Sequence, residues 1–178
     1  MPFFAILIII IVAGIFLDQL SKILVYFLME EGDTIKLIPK VFHIEYVQNE
    51  GAAFGMLSNN RWVFMVISVI GIIALSIYLF RFCKESRVIK VGLALVISGG
   101  IGNMIDRIAL GFVVDMLQLT FLGELFPWVF NIADSMVCIG IGLVIVWLIK
   151  EIIDDAKKKK KENSEQDVSQ KVNENENN

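Results

Sequence analysis

Four long apolar runs divide the chain, at about residues 3–29, 62–82, 88–110 and 129–149, and each is continuous rather than alternating. Such lengths suit helices crossing a hydrocarbon core of roughly 30 Å. In lipid every backbone group has to be satisfied internally, so only helices or closed barrels span, and continuous runs decide for helices. The polar stretch 30–61 has a different period. In V-F-H-I-E-Y-V, Phe42, Ile44 and Tyr46 face one way and His43 and Glu45 the other, as in a half-buried strand. Residues 34–38 supply its hairpin partner, with Pro39 and Lys40 in the turn, and His43 is expected as an ordinary exposed residue. The pattern predicts an all-α integral membrane protein with four transmembrane helices and a small sheet between spans one and two. The interrupted apolar segment after Gly111, which should end span three, is expected to re-enter or lie on the membrane.

Composition agrees with this architecture. With 56% hydrophobic residues and a mean hydropathy of +0.70, a 178-residue soluble domain would expose far too much apolar surface. The net charge of −3 is segregated. Arg81, Lys84, Arg87 and Lys90 follow span two, and Lys150 and the lysines at 157–161 follow span four. By the positive-inside rule these segments are cytoplasmic, so both termini lie inside and 30–61 and 111–128 lie outside. The expected organisation is a membrane domain over 1–156 with an extracytoplasmic insert at about 30–61. Residues 157–178 form a charged, aperiodic tail for which disorder is expected. The apolar start lacks a basic leader and reads as a retained span. Cys83 and Cys138 show neither disulfide nor metal spacing, and no metal or other cofactor and no nucleic-acid partner is expected.

Ionisable groups inside such spans are expensive, by a few kcal/mol each on lenient scales, and stand out as functional candidates. Span one carries Asp18 and Lys22, four apart on one face and able to pair. Span three carries Asn103, Asp106 and Arg107 behind the small residues Ser98, Gly99, Gly100 and Gly102, which also suit close helix packing. Asp115 lies in an apolar setting that raises a carboxyl pKa, and span four opens with F-N-I-A-D, containing Asn131 and Asp134. Asp134 alone would be explained by the helix dipole, and Arg107 alone by snorkelling to headgroups. Taken with the direction of each span, however, all these groups fall in the outer part of the bundle. A transporter relaying ions through Asp18, Lys22 and Asp106 needs polar groups through both leaflets. A scaffold whose polar cluster only fixes packing is the other alternative. A site open to one side suits chemistry on a substrate at the outer leaflet. If Asp115 and Asp134 meet, they share a proton, and one serves as base toward water while the other donates to a carbonyl. Asn49, Gly51, Ala52 and Ala53 in N-E-G-A-A-F are small enough to admit a peptide closely, or else form a flexible turn, with Phe54, Met56 and Leu57 dipping into the interface.

The ordered motifs D-Q-L-S-K, N-E-G-A-A-F, G-G-I-G-N-M-I-D-R with G-F-V-V-D, and F-N-I-A-D resemble the lipoprotein signal peptidase family, also called signal peptidase II. That resemblance implies a bacterial inner-membrane aspartyl endopeptidase. It would remove the signal peptide of prolipoproteins by cutting before a diacylglyceryl-modified cysteine, with its site toward the extracytoplasmic face and globomycin-type inhibitors occupying the same pocket. It makes Asp115 and Asp134 the catalytic pair, and Asp18, Lys22, Asn49, Gly51, Asn103, Asp106, Arg107, Asn131 and Ala133 residues that line or support the pocket. It also implies a short helix beside the sheet of the 30–61 insert. Met116 and Ile101 stand where the family commonly has phenylalanine and alanine, which implies a change of pocket shape. The lysine-rich tail lies outside the family pattern and reads as a topology signal or a contact with anionic lipid headgroups.

Overall fold

The computed structural model describes residues 3–50, 61–84 and 86–176, with side chains up to residue 160 apart from those of 61, 63, 64, 122 and 124. Gly51, Ala52, Ala53, Phe54, Met56 and Leu57 therefore lie outside the described residues.

Helix α1 spans Phe3–Leu28, α2 Arg61–Ile77 with a π turn Tyr78–Phe82 at its exit, α3 Arg87–Ala109 and α4 Ile132–Glu176. All four are long and apolar enough to cross a membrane. Their apolar side chains point outward: Ile8, Val12, Phe16 and Phe27 on α1 and Ile67, Ile70 and Ile73 on α2 are all exposed. What α1 buries instead is the stripe Leu7, Gly14, Asp18, Lys22 and Val25, spaced three, four or seven apart along one face.

Helix α3 is the centre of the bundle, packing against α1, α2 and most extensively α4. Small residues allow this. A Cβ on Gly92 would stand 2.8 Å from the carbonyl oxygen of Gly140, and one on Gly99 would run into the carbonyl oxygen of Ala133. Between helices in lipid, close backbone approach of this kind replaces the hydrophobic driving force available in water. Span four begins three residues later than the apolar run suggests, because Asn131 caps it. At its other end the helix continues to Glu176, where the composition led to an expectation of disorder. From 151 onward the sequence has no glycine or proline, and lysine and glutamate sustain a helix well.

The sheet has four antiparallel strands in the order β1-β2-β3-β4, namely Thr34–Ile38, Phe42–Asn49, Val113–Leu119 and Val129–Phe130. The hairpin β1–β2 lies between spans one and two as expected. The segment after Gly111 folds into the sheet. It supplies β3, which pairs with β2, and then a 3-10 helix, Thr120–Leu125, the short helix among the described residues outside the spans. Its first four residues are buried, and a strand covered on both faces reads as an unbroken apolar run rather than an alternating one. Gly111 makes the change of direction, with φ of 89° just after α3. Tyr46 packs with Val25, Val114 and Met116 beneath the sheet, and Ile44 joins them. His43 is half-buried in β2, because strands β1 and β3 flank it.

Candidate active site

Asp134 is placed by the start of α4. Asn131 occupies the capping position, and its Oδ1 accepts the Asp134 N–H over 2.9 Å. In return Asp134 Oδ2 accepts the Asn131 N–H over 3.2 Å, an Asn-x-x-Asp form of the capping box. The remaining oxygen, Oδ1, accepts Asn103 Nδ2 from α3 over 2.7 Å. A helix start and a neighbouring helix thus hold the carboxylate in one orientation.

Asp115 is placed by the sheet. It lies opposite Val47 on β2, while Asn49 pairs with Val113, so Asn49 and Asp115 are diagonal neighbours on one face. Asn49 Nδ2 donates to Asp115 Oδ2 over 2.9 Å, and Asn131 Nδ2 donates to its Oδ1 over 2.6 Å. The residue is only 2% exposed. Burial pushes its carboxyl up to about 6; the Asn49 bond opposes this, the Asp134 charge adds to it, and the Asn131 bond and Lys22 charge oppose it.

One cavity of about 290 Å³ reaches both carboxylates. Asn49, Asn103 and Arg107 share its lining, and Val113, Phe126, Trp128 and Phe130 make its apolar wall. Phe126 stacks edge-on against Trp128 and Phe130, at 5.3 and 5.9 Å between ring centres. Arg107 is anchored by a bond from Nη1 to the Asn103 carbonyl oxygen at 3.2 Å. Asn131 is wholly buried and joins the acids, bonding Asp115 with its side chain and Asp134 with its backbone. Two carboxyl groups from different elements, facing a shared apolar-walled cavity and linked through one asparagine, suit acid–base hydrolysis.

Behind this pair lies a second polar layer. Lys22 Nζ is 2.9 Å from Asp18 and 3.0 Å from Asp106, and donates to Asn103 Oδ1 over 2.8 Å. Exposures are 0% for Asp18, 2% for Lys22 and 3% for Asp106. Ala133 is buried where its N–H donates to Asp18 Oδ1 over 2.8 Å. A Cβ at Gly102 would stand 2.6 Å from Asp18 Oδ2 and 3.3 Å from the Ala133 Cβ.

The family model described as signal peptidase (SPase) II matches residues 10–150. The chain belongs to the signal peptidase II family. The lipoprotein signal peptidase of Clostridioides difficile (strain 630) is 42% identical over 144 residues, covering 81% of this chain and 93% of its own. That of Halothermothrix orenii is 44% identical over 140 residues, covering 79% and 92%. A bacterial membrane enzyme solved by the in meso method at 2.3 Å resolution aligns with a TM-score of 0.78 and 35% identity, over 83% of this chain and 90% of that one. A second, at 1.9 Å, aligns with a TM-score of 0.75 and 36% identity, over 82% and 94%.

Of the residues that the family motifs single out, Asp18, Lys22, Asn49, Asn103, Asp106, Arg107, Asp115, Asn131, Ala133 and Asp134 fall within these two layers, while Gly51 is outside the described residues. Met116 and Ile101 do not border the cavity. Met116 packs under the sheet and Ile101 against the helical core, so their departure from the signal peptidase II pattern bears on packing. Gln19 was missed. Its Nε2 donates to Asp106 Oδ1 over 2.9 Å and to the Gly102 carbonyl over 3.1 Å, and the only sequence hint was a polar residue beside Asp18 in a greasy helix.

Proposed function

We propose that the chain is an aspartyl endopeptidase of the membrane that removes signal peptides from diacylglyceryl-modified prolipoproteins, with Asp115 and Asp134 as its catalytic pair. The observation that carries this is the joining of the two carboxyl groups through Asn131 at a single cavity. The pair holds one proton between them. Water attacks the scissile carbonyl carbon and gives its proton to the ionised member of the pair, while the protonated member donates to the carbonyl oxygen. Collapse of the tetrahedral intermediate breaks the C–N bond, the leaving nitrogen takes the proton that the first acid accepted from water, and the second acid recovers its own from the hydroxyl. Arg107 lies within electrostatic reach of both acids and holds the local charge near balance.

The membrane orientation follows from charge. Arg81, Lys84, Arg87, Lys90 and Lys150 gather at the end of the bundle away from the sheet, where Arg87 also lies 5.4 Å from the Phe3 ring centre. We assign that end to the cytoplasm, with both termini, and the cavity to the extracytoplasmic side. A substrate whose acylated cysteine stays in the outer leaflet reaches such a cavity without leaving the membrane. Residues 1–156 form the protease unit and 157–178 a cytoplasmic extension. Globomycin-type inhibitors compete for the same cavity.

The test is incubation of the purified protein with a diacylglyceryl-modified signal-peptide substrate and its unlipidated twin. Only the lipidated peptide should be cut, immediately before the cysteine. Asp115→Asn and Asp134→Asn should each abolish cleavage while remaining folded. Equal cleavage of both peptides, or activity in either variant, would refute the assignment.

A further inference from the structure

Each proposed catalytic aspartate follows a residue whose backbone N–H is gripped by a different aspartate. Val114, before Asp115, donates to Asp106 Oδ2 over 3.1 Å, and Ala133, before Asp134, donates to Asp18 Oδ1 over 2.8 Å. The gripping carboxylates come from α3 and α1, and one ammonium couples them: Lys22 lies 2.9 Å from Asp18 Oδ2 and 3.0 Å from Asp106 Oδ2. The third Lys22 bond goes to Asn103 Oδ1, whose amide nitrogen holds Asp134. Gln19 steadies Asp106 through its other oxygen.

We propose that Asp18, Lys22 and Asp106, assisted by Gln19, form a yoke that sets the spacing of Asp115 and Asp134 through the backbone. They are positioning residues and make no substrate contact. This inference rests on the reading of Asp115 and Asp134 as the catalytic pair. None of the four borders the cavity that the two acids share; Gln19, Lys22 and Asp106 border a separate hollow of about 240 Å³ between α1 and α3. Three acceptors take up all three ammonium donors of Lys22, leaving none for a ligand. Strand β4 and the Asn131–Asp115 bond join β3 to the start of α4 directly, and the yoke adds a second, common reference for the backbone of both from α1 and α3.

The bonding pattern makes an asymmetric prediction. In Asp106 the same oxygen, Oδ2, serves both Val114 and Lys22. An asparagine there keeps both bonds with its carbonyl oxygen and loses only the contact to Gln19. In Asp18 the two partners use different oxygens, Oδ1 for Ala133 and Oδ2 for Lys22. An asparagine there sets an N–H against a donor and must lose one of them. Misplacement of reacting groups by about 1 Å lowers rates by about 100-fold, so Asp18→Asn should lower kcat by about that factor and Asp106→Asn by less than about 10-fold. KM for the lipidated peptide should stay within about 3-fold in both, since uniform binding is untouched. Asp106→Ala, which removes the acceptor of Val114, should fall with Asp18→Asn, and its rescue by asparagine is a readout that simple packing does not give.

Rates are taken per folded molecule, from detergent melting of the same samples. If Asp18→Asn does not fold, the comparison of Asp106→Asn with Asp106→Ala decides alone. Equal kcat losses in Asp18→Asn and Asp106→Asn, or equal activities of Asp106→Asn and Asp106→Ala, overturn the yoke. A wild-type protein that leaves the lipidated peptide uncut overturns the peptidase reading, and the yoke with it.

Discussion

Replacing Asp115 by asparagine tests the electrostatics of the site independently of catalysis. Its carboxyl stands at about 6 against an ordinary 3.8, which weights the neutral form in the folded protein by about 3 kcal/mol. The sign follows from linkage. Folding favours the protonated acid, so this contribution is complete below about pH 3.8, declines as the pH rises, and is lost above about 6. Between pH 4.5 and 8 the wild type should therefore lose about 2 kcal/mol that a non-titrating asparagine does not lose. The substitution also has a constant penalty. Asparagine offers one acceptor oxygen to the two amide donors from Asn49 and Asn131, leaving one unsatisfied, at about 1–3 kcal/mol at every pH. Only the pH-dependent part identifies the buried acid.

The assay is equilibrium unfolding of both proteins in the same detergent micelles at pH 4.5, 6 and 8. Carboxylates common to the two cancel in the difference. The stability of Asp115→Asn relative to wild type should rise by about 2 kcal/mol from pH 4.5 to 8, with most of the change below pH 6.5. A difference that stays constant within about 0.5 kcal/mol would refute the placement of Asp115 as a desolvated acid beside Asp134.

Other substitutions probe how the site is held. Asn131→Ala removes the α4 cap and the bond to Asp115, so it should lower stability by at least about 1 kcal/mol in detergent unfolding and abolish cleavage as well. Gly99→Ala forces a methyl onto the Ala133 carbonyl oxygen, where backbone must give way; a loss of about 1–3 kcal/mol and a fall in kcat are expected. Gly142→Ala, on α4 with nothing within 4 Å of the added methyl, should melt at or slightly above the wild-type temperature and cleave normally. A fall for Gly142→Ala matching that of Gly99→Ala would show that helix packing does not follow these contacts.

The four spans and the hairpin Thr34–Ile38 with Phe42–Asn49 were legible because length and period each carry a physical meaning in lipid. Residues 113–119 were not. Their apolar run lacks alternation because both faces of β3 are covered, one by Val25 and Tyr46, the other by the cavity wall. Periodicity cannot tell such a strand from a membrane-associated segment. Taken alone, Asp134 had only a helix-dipole explanation in the sequence, and the structure joins the helix cap and the place of Asp134 beside the cavity in one arrangement. The cap that satisfies the helix start also points the carboxylate toward the cavity.

This coincidence explains why such a site can be built from so few residues. A carboxylate in lipid needs donors, and the donors here are the backbone groups that each element leaves unpaired at its start: the N–H of Asn131 and Ala133 at α4, and that of Val114 at β3. Each of these three N–H groups is satisfied by an aspartate, Asp134, Asp18 and Asp106 in turn, whereas Asp115 is held by the side chains of Asn49 and Asn131. Since the partners lie as far apart in sequence as Asp18 and Ala133, no spacing rule predicts them. Only the fold shows that the N–H groups taken by Asp106 and Asp18 lie one residue before the two acids proposed to be catalytic.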